Sequence, residues 1–115
     1  MPSQRFSRRY VATRAKSAQL FRRASRSTPG GVESNIRWFK PHPLYVDYGE
    51  GGYLYDVDGN RILDFMMGFG SLILGHNNRD VALEVIRQLD SSSLLGLPTP
   101  LYIDYIEEVK GAFPS

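Results

Sequence analysis

The chain has 115 residues, one domain's length on the usual prior of roughly 100–200 residues, with 42% hydrophobic and 23% charged positions. No apolar run approaches the ~18–20 residues of a membrane-spanning helix, and the lack of cysteine excludes disulfides, thiolate nucleophiles and thiolate metal sites. The net charge of +2 hides an asymmetry: the eight basic residues from Arg5 to Arg26 stand before the first acid, Glu33, and all twelve acids fall in the rest of the chain.

A basic arm on an acidic body has three readings. It can bind nucleic acid or an anionic surface, act as a targeting peptide, or form a solvated helix that packs on its own acidic body. The third is favoured, because Tyr10, Val11, Ala18 and Phe21 fall at helical spacing and there is no run of lysines. The arm reads as a helix over 13–25, stopped by Pro29-Gly30-Gly31. Residues 28–43 show no clean period. They carry Val32, Ile36, Trp38 and Phe39, which an exposed linker would rarely hold, so the segment is expected to pack against something.

The middle of the chain reads as an antiparallel β-meander. Strands are expected over 45–48, 53–57 and 61–65, with a glycine-rich turn at 49–52 and a tight hairpin at Asp58-Gly59. A flexible Gly68-Phe69-Gly70 and an apolar Leu72-Ile73-Leu74 lead to Gly75-His76. Asn77 or Asn78 then caps a helix running to about Asp90, with Asp80 in its first turn and a buried stripe of Val81, Val85 and Leu89. The 91–98 stretch is a loop. Thr99-Pro100 starts a last helix with the stripe Leu101, Tyr105 and Val109, ended by Gly111. About half the chain is left irregular, and a three-stranded sheet apolar on both faces needs cover. The sequence reads as part of a larger structure.

Local motifs are weak when taken singly. Asp56-Val57-Asp58-Gly59-Asn60 lacks the glycine a calcium loop needs, since Arg61 stands there, and is read as a hairpin turn. Gly68-Phe69-Gly70 lacks the third glycine and the strand–helix setting of a dinucleotide fingerprint. Ser91-Ser92-Ser93 is a loop with no histidine near it in sequence. His42 and His76 are too far apart in sequence to suggest a histidine-rich metal site.

Their order carries more. Pro29-Gly30-Gly31-Val32, then Ser34 and Arg37, then Asp56-Val57-Asp58-Gly59-Asn60, Leu63-Asp64-Phe65, Gly70 and Ile73-Leu74-Gly75-His76 follow one another with characteristic gaps. Together they resemble the opening of the class III pyridoxal-phosphate aminotransferases, most closely the glutamate-1-semialdehyde 2,1-aminomutase branch. The resemblance runs from about Ser17 to the end of the sequence. It implies the N-terminal part of an α/β, fold-type-I enzyme with an N-terminal helix, an antiparallel meander and the first helices of the large domain. The divisions would be a basic arm over 1–27, a substrate-lining loop and meander of the small domain over 28–77, and the start of the large domain over 78–115.

The resemblance further implies pyridoxal phosphate as cofactor, a small amino or keto acid as substrate, and a homodimer in the complete enzyme. Arg37 matches an arginine placed near the substrate carboxylate, where a two-pronged hydrogen bond is worth roughly 1.5–3 kcal/mol when sheltered. Ser34 matches a serine of the same lining stretch, and Phe69 stands where a tryptophan is usual on the substrate side. Each has a plainer reading: a surface arginine beside Trp38, a loop cap, and ordinary core packing. Four departures (Glu33 for asparagine, Asn35 for proline, Trp38 for a small residue, Phe69 for tryptophan) fall in the stretches expected to line the substrate. A related aminotransferase for another amino acid or amino-ketone fits equally well.

None of Lys16, Lys40 and Lys110 matches the family's Schiff-base position, and none lies in a setting that would desolvate it. The segments expected to hold the cofactor's phosphate and ring nitrogen are not among these residues, so the 115 residues alone are expected to be inactive. The rival from another class is a non-enzymatic module whose basic arm binds nucleic acid. A cytoplasmic location is expected, with an organelle-targeted precursor as the alternative raised by the first 16 residues.

Overall fold

The computed structural model describes residues 2–91 and 93–113. Ser92, in the middle of the triple-serine loop, and Met1, Pro114 and Ser115, at the ends of the expected divisions, lie outside the described residues. The chain separates into two units, residues 1–78 and 79–115.

In the first unit the basic arm forms two helices, α1 (Pro2–Ala12) and α2 (Ala15–Ala24), in place of the single helix expected over 13–25. The ladder breaks at Thr13-Arg14. Arg14 leaves helical geometry (φ −138°, ψ 50°), and the Thr13 hydroxyl donates back to the carbonyl of Arg9 at 2.9 Å. Arg14 cannot cap a helix, and the first turn of α2 contains no acid. The missing acceptor comes from elsewhere in the unit. The Asp58 carboxylate takes the backbone N–H groups of Lys16 (2.7 Å) and Ser17 (2.9 Å), and Asn60 Nδ2 donates to the carbonyl of Thr13 at 3.0 Å. A carboxylate at this end also complements the helix dipole. Asp56, buried at the base of the same hairpin turn, pairs with Arg14 (Nε to Oδ2, 3.2 Å). The Asp56–Asn60 string is thus a hairpin turn, as expected, and also the seat of the α1–α2 junction.

After α2 the chain winds through two short 3₁₀ turns, Pro29–Gly31 and Asn35–Arg37, and a cis Lys40–Pro41 peptide. The irregular segment packs as its apolar content required. Tyr10 of α1 is buried, its hydroxyl donates to the carbonyl of His42 at 3.0 Å, and its ring meets Phe39 edge-on. Pro43 is fully enclosed.

The meander comprises β1 (Val46–Glu50), β2 (Tyr53–Asp56) and β3 (Arg61–Leu63), antiparallel in that order. Glu50 faces Tyr53 and Leu54 faces Ile62, with an irregularity between Val46 and Tyr48. The rings of Tyr48 and Tyr55 stack at 4.4 Å. The third strand stops short of Phe65 because one Asp64 carboxylate oxygen accepts the N–H groups of Met66 and Met67, turning the chain.

The second unit holds α3 (Arg79–Leu89) and α4 (Pro100–Ala112), and the Thr99 side chain caps α4 by accepting the N–H of Tyr102. Two expectations are corrected here. Gly111 lies inside α4, which runs on to Ala112 because the N–H of Phe113 still reaches the carbonyl of Val109. The stripe Val81, Val85 and Leu89 is exposed, as are Leu101, Tyr105 and Val109. Helical spacing identifies the face that seeks cover, and the described residues leave it open.

Candidate functional site

The 28–38 segment shapes two adjoining clefts. One, of about 630 Å³, is lined by Thr28, Pro29, Glu33, Ser34 and Trp38 among others. The second, of about 430 Å³, carries Arg37 together with Thr28, Val32, Glu33 and Tyr45. The backbone that forms them demands glycine. Gly31 has a φ of 67°, and a Cβ there would stand 2.8 Å from the Phe21 ring; Tyr45 fixes the same residue by donating its hydroxyl to the Gly31 carbonyl at 2.8 Å.

Ser34 and Arg37 open and close the second 3₁₀ turn, and the N–H of Arg37 donates to the carbonyl of Ser34 at 3.0 Å. Ser34 is half-buried and lines its cleft, and its side chain makes no cap bond, so it lacks the local capping role the plainer reading gave it. Arg37 is exposed and engages Glu33 (Nη1 to Oε1, 3.1 Å). The Glu33 carboxyl lies below its ordinary range, first through a hydrogen bond from its own backbone N–H and then through the Arg37 charge.

The structure therefore brings Ser34 and Arg37 to neighbouring clefts that share Thr28, Val32 and Glu33. Phe69 lines neither. It sits in the loop after β3 with a φ of 61°, and it is 69% exposed, so core packing within the described residues does not account for it. Sequence reasoning quoted two residues at the ends of the same loop, Asp64 and His76, without seeing that they pair. The His76 ring nitrogen Nε2 meets Asp64 Oδ2 at 2.7 Å, and both side chains are largely buried. The Leu63-Asp64-Phe65 and Gly75-His76 strings were the available signal, but the meeting of two side chains twelve positions apart was not. Lys16, Lys40 and Lys110 are all exposed, and none lines either cleft. Among the described residues no cluster of three His, Asp or Glu could hold a metal, and no helix is long and apolar enough to cross a membrane.

The order of strings, the meander and this loop geometry define a known class. The aminotransferase class-III family matches residues 36–110, and the chain belongs to that family. Over 100 residues it is 44% identical to the glutamate-1-semialdehyde 2,1-aminomutase of Archaeoglobus fulgidus, a match that covers 87% of this chain and 24% of that protein. Among solved structures it is similar to a glutamate-1-semialdehyde-aminomutase from Pseudomonas aeruginosa PAO1 (TM-score 0.86, 29% identity, 96% of this chain and 25% of that one). It is also similar to a transaminase with PLP bound (TM-score 0.78, 32% identity, 84% and 23%). The chain thus spans about a quarter of the length of the curated relatives it matches.

Proposed function

We propose that these residues are the N-terminal part of a pyridoxal-phosphate-dependent, glutamate-1-semialdehyde 2,1-aminomutase-like aminotransferase. Its substrate is a small amino or keto acid, and the complete enzyme is a homodimer. The observation that carries this reading is Arg37 on an open cleft beside Ser34, within a family match that includes it. The guanidinium offers the substrate carboxylate two parallel hydrogen bonds, and the Ser34 hydroxyl supplies a further donor or acceptor at the adjoining cleft.

The residues present do not fit the cofactor's covalent attachment. That chemistry needs a sheltered amine, and all three lysines are exposed. No step through the cofactor is derived from this chain. Its own contribution is to bind and orient the carboxylate end of the substrate. The exposed apolar faces of α3 and α4 support a homodimer and a larger enzyme that covers them.

The Glu33–Arg37 pair favours a second reading, a class III aminotransferase with a different amino donor. Glu33 is one of the departures from the family pattern, and it already engages the guanidinium that a substrate carboxylate would need.

The test joins the full 115-residue chain to the remaining sequence of the A. fulgidus aminomutase. This chimera is expected to turn over an amino-keto acid. Arg37→Ala should raise KM for it on the order of ten- to a hundredfold, the equivalent of the 1.5–3 kcal/mol of a charge-assisted hydrogen bond, with cofactor absorbance unchanged. Equal KM values for the parent chimera and its Arg37→Ala variant would remove Arg37 from the site. Glu33→Gln lowering KM for a carboxylate substrate would favour the aminomutase reading, and greater activity toward an amine lacking a carboxylate would favour the second.

A further inference from the structure

We propose that Asp64 and His76 are positioning residues: their side-chain pair clasps the loop of residues 65–75 shut and so fixes the direction in which Phe69 is presented. The proposal rests on the reading of Phe69 as a residue on the substrate side.

The loop leaves β3 at Asp64 and returns to the sheet at His76. Both ends are held by the same carboxylate. Asp64 Oδ1 accepts the N–H groups of Met66 (2.7 Å) and Met67 (3.1 Å), which fixes the outgoing strand end, and Oδ2 meets His76 Nε2 at 2.7 Å, which fixes the return. The Asp64 and His76 side chains are 8% and 16% exposed, so water competes weakly for the pair. His76 is also bound to the sheet through its backbone: its N–H donates to the Gly51 carbonyl at 2.8 Å and its carbonyl accepts the Gly51 N–H at 3.0 Å.

The glycine within β1 fits the same device. The His76 ring lies directly over Gly49, where a Cβ would come within 2.6 Å of the ring, so only glycine lets the ring reach Asp64. Gly49, expected in the glycine-rich turn at 49–52, lies instead inside β1, which runs on to Glu50.

Burial holds little of the loop: Met67 and Leu72 are half-buried and most of its other residues are exposed. Phe65 is 90% exposed and Ile73 88% exposed, and Phe69 shares that exposure. Yet its backbone is sharply defined. Met67, Gly68, Phe69 and Gly70 have successive φ values of 46°, 61°, 61° and 86°. Residues with side chains seldom occupy that region, and they keep it only where the surroundings over-determine it. Internal bonds wind the loop: the Gly70 N–H donates to the Met66 carbonyl and the Leu72 N–H to that of Met67, each at 3.0 Å, the Ser71 hydroxyl to that of Gly68 at 2.8 Å, and the Gly75 N–H to that of Leu72 at 2.9 Å. Backbone bonds tie each end to the sheet, the Asp64 N–H donating to the Gly52 carbonyl at 3.0 Å as His76 bonds to Gly51, and the clasp joins the two ends directly to each other. Hydrogen bonding from His76 is the leading cause of an Asp64 carboxyl held below its ordinary range, in keeping with a carboxylate engaged on both oxygens.

The test uses the chimera, with Phe69→Ala, His76→Ala, His76→Gln, Gly49→Ala and the Phe69/His76 double variant. Phe69→Ala and His76→Ala should each raise substrate KM on the order of tenfold, with a smaller change in kcat, because misplacement of a positioning group by about 1 Å can cost up to a hundredfold. The double variant should be no worse than Phe69→Ala alone, since a clasp that acts through Phe69 has nothing left to position. His76→Gln keeps an N–H donor and should recover part of the loss. Gly49→Ala leaves both clasp residues in place and should reproduce the His76→Ala defect by displacing the ring. As a readout independent of turnover, amide exchange over 65–75 should accelerate in His76→Ala while that of residues 46–63 stays as it was.

Additive effects of Phe69→Ala and His76→Ala, or exchange that rises across the whole meander, would overturn the clasp while leaving the substrate-side reading of Phe69 intact. An unchanged KM in Phe69→Ala would sink that reading and the proposal with it. Should His76→Ala fail to fold, His76→Gln and Gly49→Ala carry the same comparison.

Discussion

Asp58, at the tip of the β2–β3 hairpin, caps Ser17 at the start of α2: one carboxylate oxygen accepts both the Ser17 N–H (2.9 Å) and the Ser17 hydroxyl (2.8 Å). The two residues are 41 positions apart. The cap of a helix in the basic arm thus belongs to the acidic body. It explains why a ten-residue helix without an acid in its first turn is formed, since helices this short are marginal unless packing or capping sustains them. Ser17 is wholly buried as a result.

Asp58→Ala is expected to loosen α2 by about 0.5–2 kcal/mol, the usual worth of an N-cap acceptor. The amides of Lys16 and Ser17 lose their acceptor directly, so their exchange should accelerate severalfold more than that of β2. Asp58→Asn keeps one acceptor oxygen and should fall between the two. Exchange at Lys16 and Ser17 that does not respond to Asp58→Ala would show that the contact does not hold the helix.

Two carboxyls make the first unit sensitive to acid. Desolvation raises the Asp58 carboxyl, but the hydrogen bonds from Ser17 and Lys16 together outweigh it and leave the group below its ordinary value of 3.8. The Asp64 carboxyl is lowered chiefly by the His76 hydrogen bond. A folded-state pKa below the unfolded one adds stability that is fully present above the unfolded value and is lost as pH falls through the folded one. Stability should therefore hold down to about pH 4 and decline below it, and the decline should be shallower in Asp58→Asn and Asp64→Asn variants. Circular dichroism of the chimera between pH 6 and pH 2 measures this.

Gly31 and Gly59 both have positive φ, and substitution should separate them. At Gly59 a Cβ meets nothing within 4 Å, so alanine adds only left-handed strain, roughly 1–2 kcal/mol. At Gly31 the same strain is joined by contacts at 2.8 Å to the Phe21 ring and 2.9 Å to the Ser25 hydroxyl. Gly31→Ala should be clearly the more destabilising in a denaturant titration. It should also disturb the second cleft, which Gly31 lines, raising substrate KM in the chimera, whereas Gly59→Ala should leave KM unchanged. Equal effects would mean that the α2–3₁₀ contact yields easily.

On its own the 115-residue chain should self-associate. Leu89, Leu101 and Tyr105 are exposed on their helices, as are Tyr48 and Leu63 on the sheet, and exposed apolar faces of this extent drive association. Sedimentation should show species larger than a monomer, and Val85→Lys with Leu89→Lys should reduce them. Borohydride reduction in the presence of pyridoxal phosphate should label Lys16, Lys40 and Lys110 no faster than an exposed lysine of an unrelated protein. A stoichiometric label on one of them, with turnover of an amino donor, would overturn the assignment of cofactor attachment to residues outside this chain.

The elements with a strong local signal were legible in the sequence. β-formers bounded by glycine set the three strands, Asp58-Gly59 set the hairpin, and Thr99-Pro100 set the start of α4, because each depends on backbone preferences of neighbouring residues. The ordered strings from Pro29 to His76 likewise carried the family. The break between α1 and α2 was not legible, because its cause lies with Asp58 and Asn60, more than forty positions along the chain. The same holds for the Asp64–His76 pair: composition and spacing name the two residues, but only the return of the chain to Gly51 brings the imidazole to the carboxylate over a glycine small enough to admit it. Local propensity acts through adjacent residues and was readable. Caps and clasps made across the fold depend on which distant backbone arrives at the site, and the tertiary structure alone decided that.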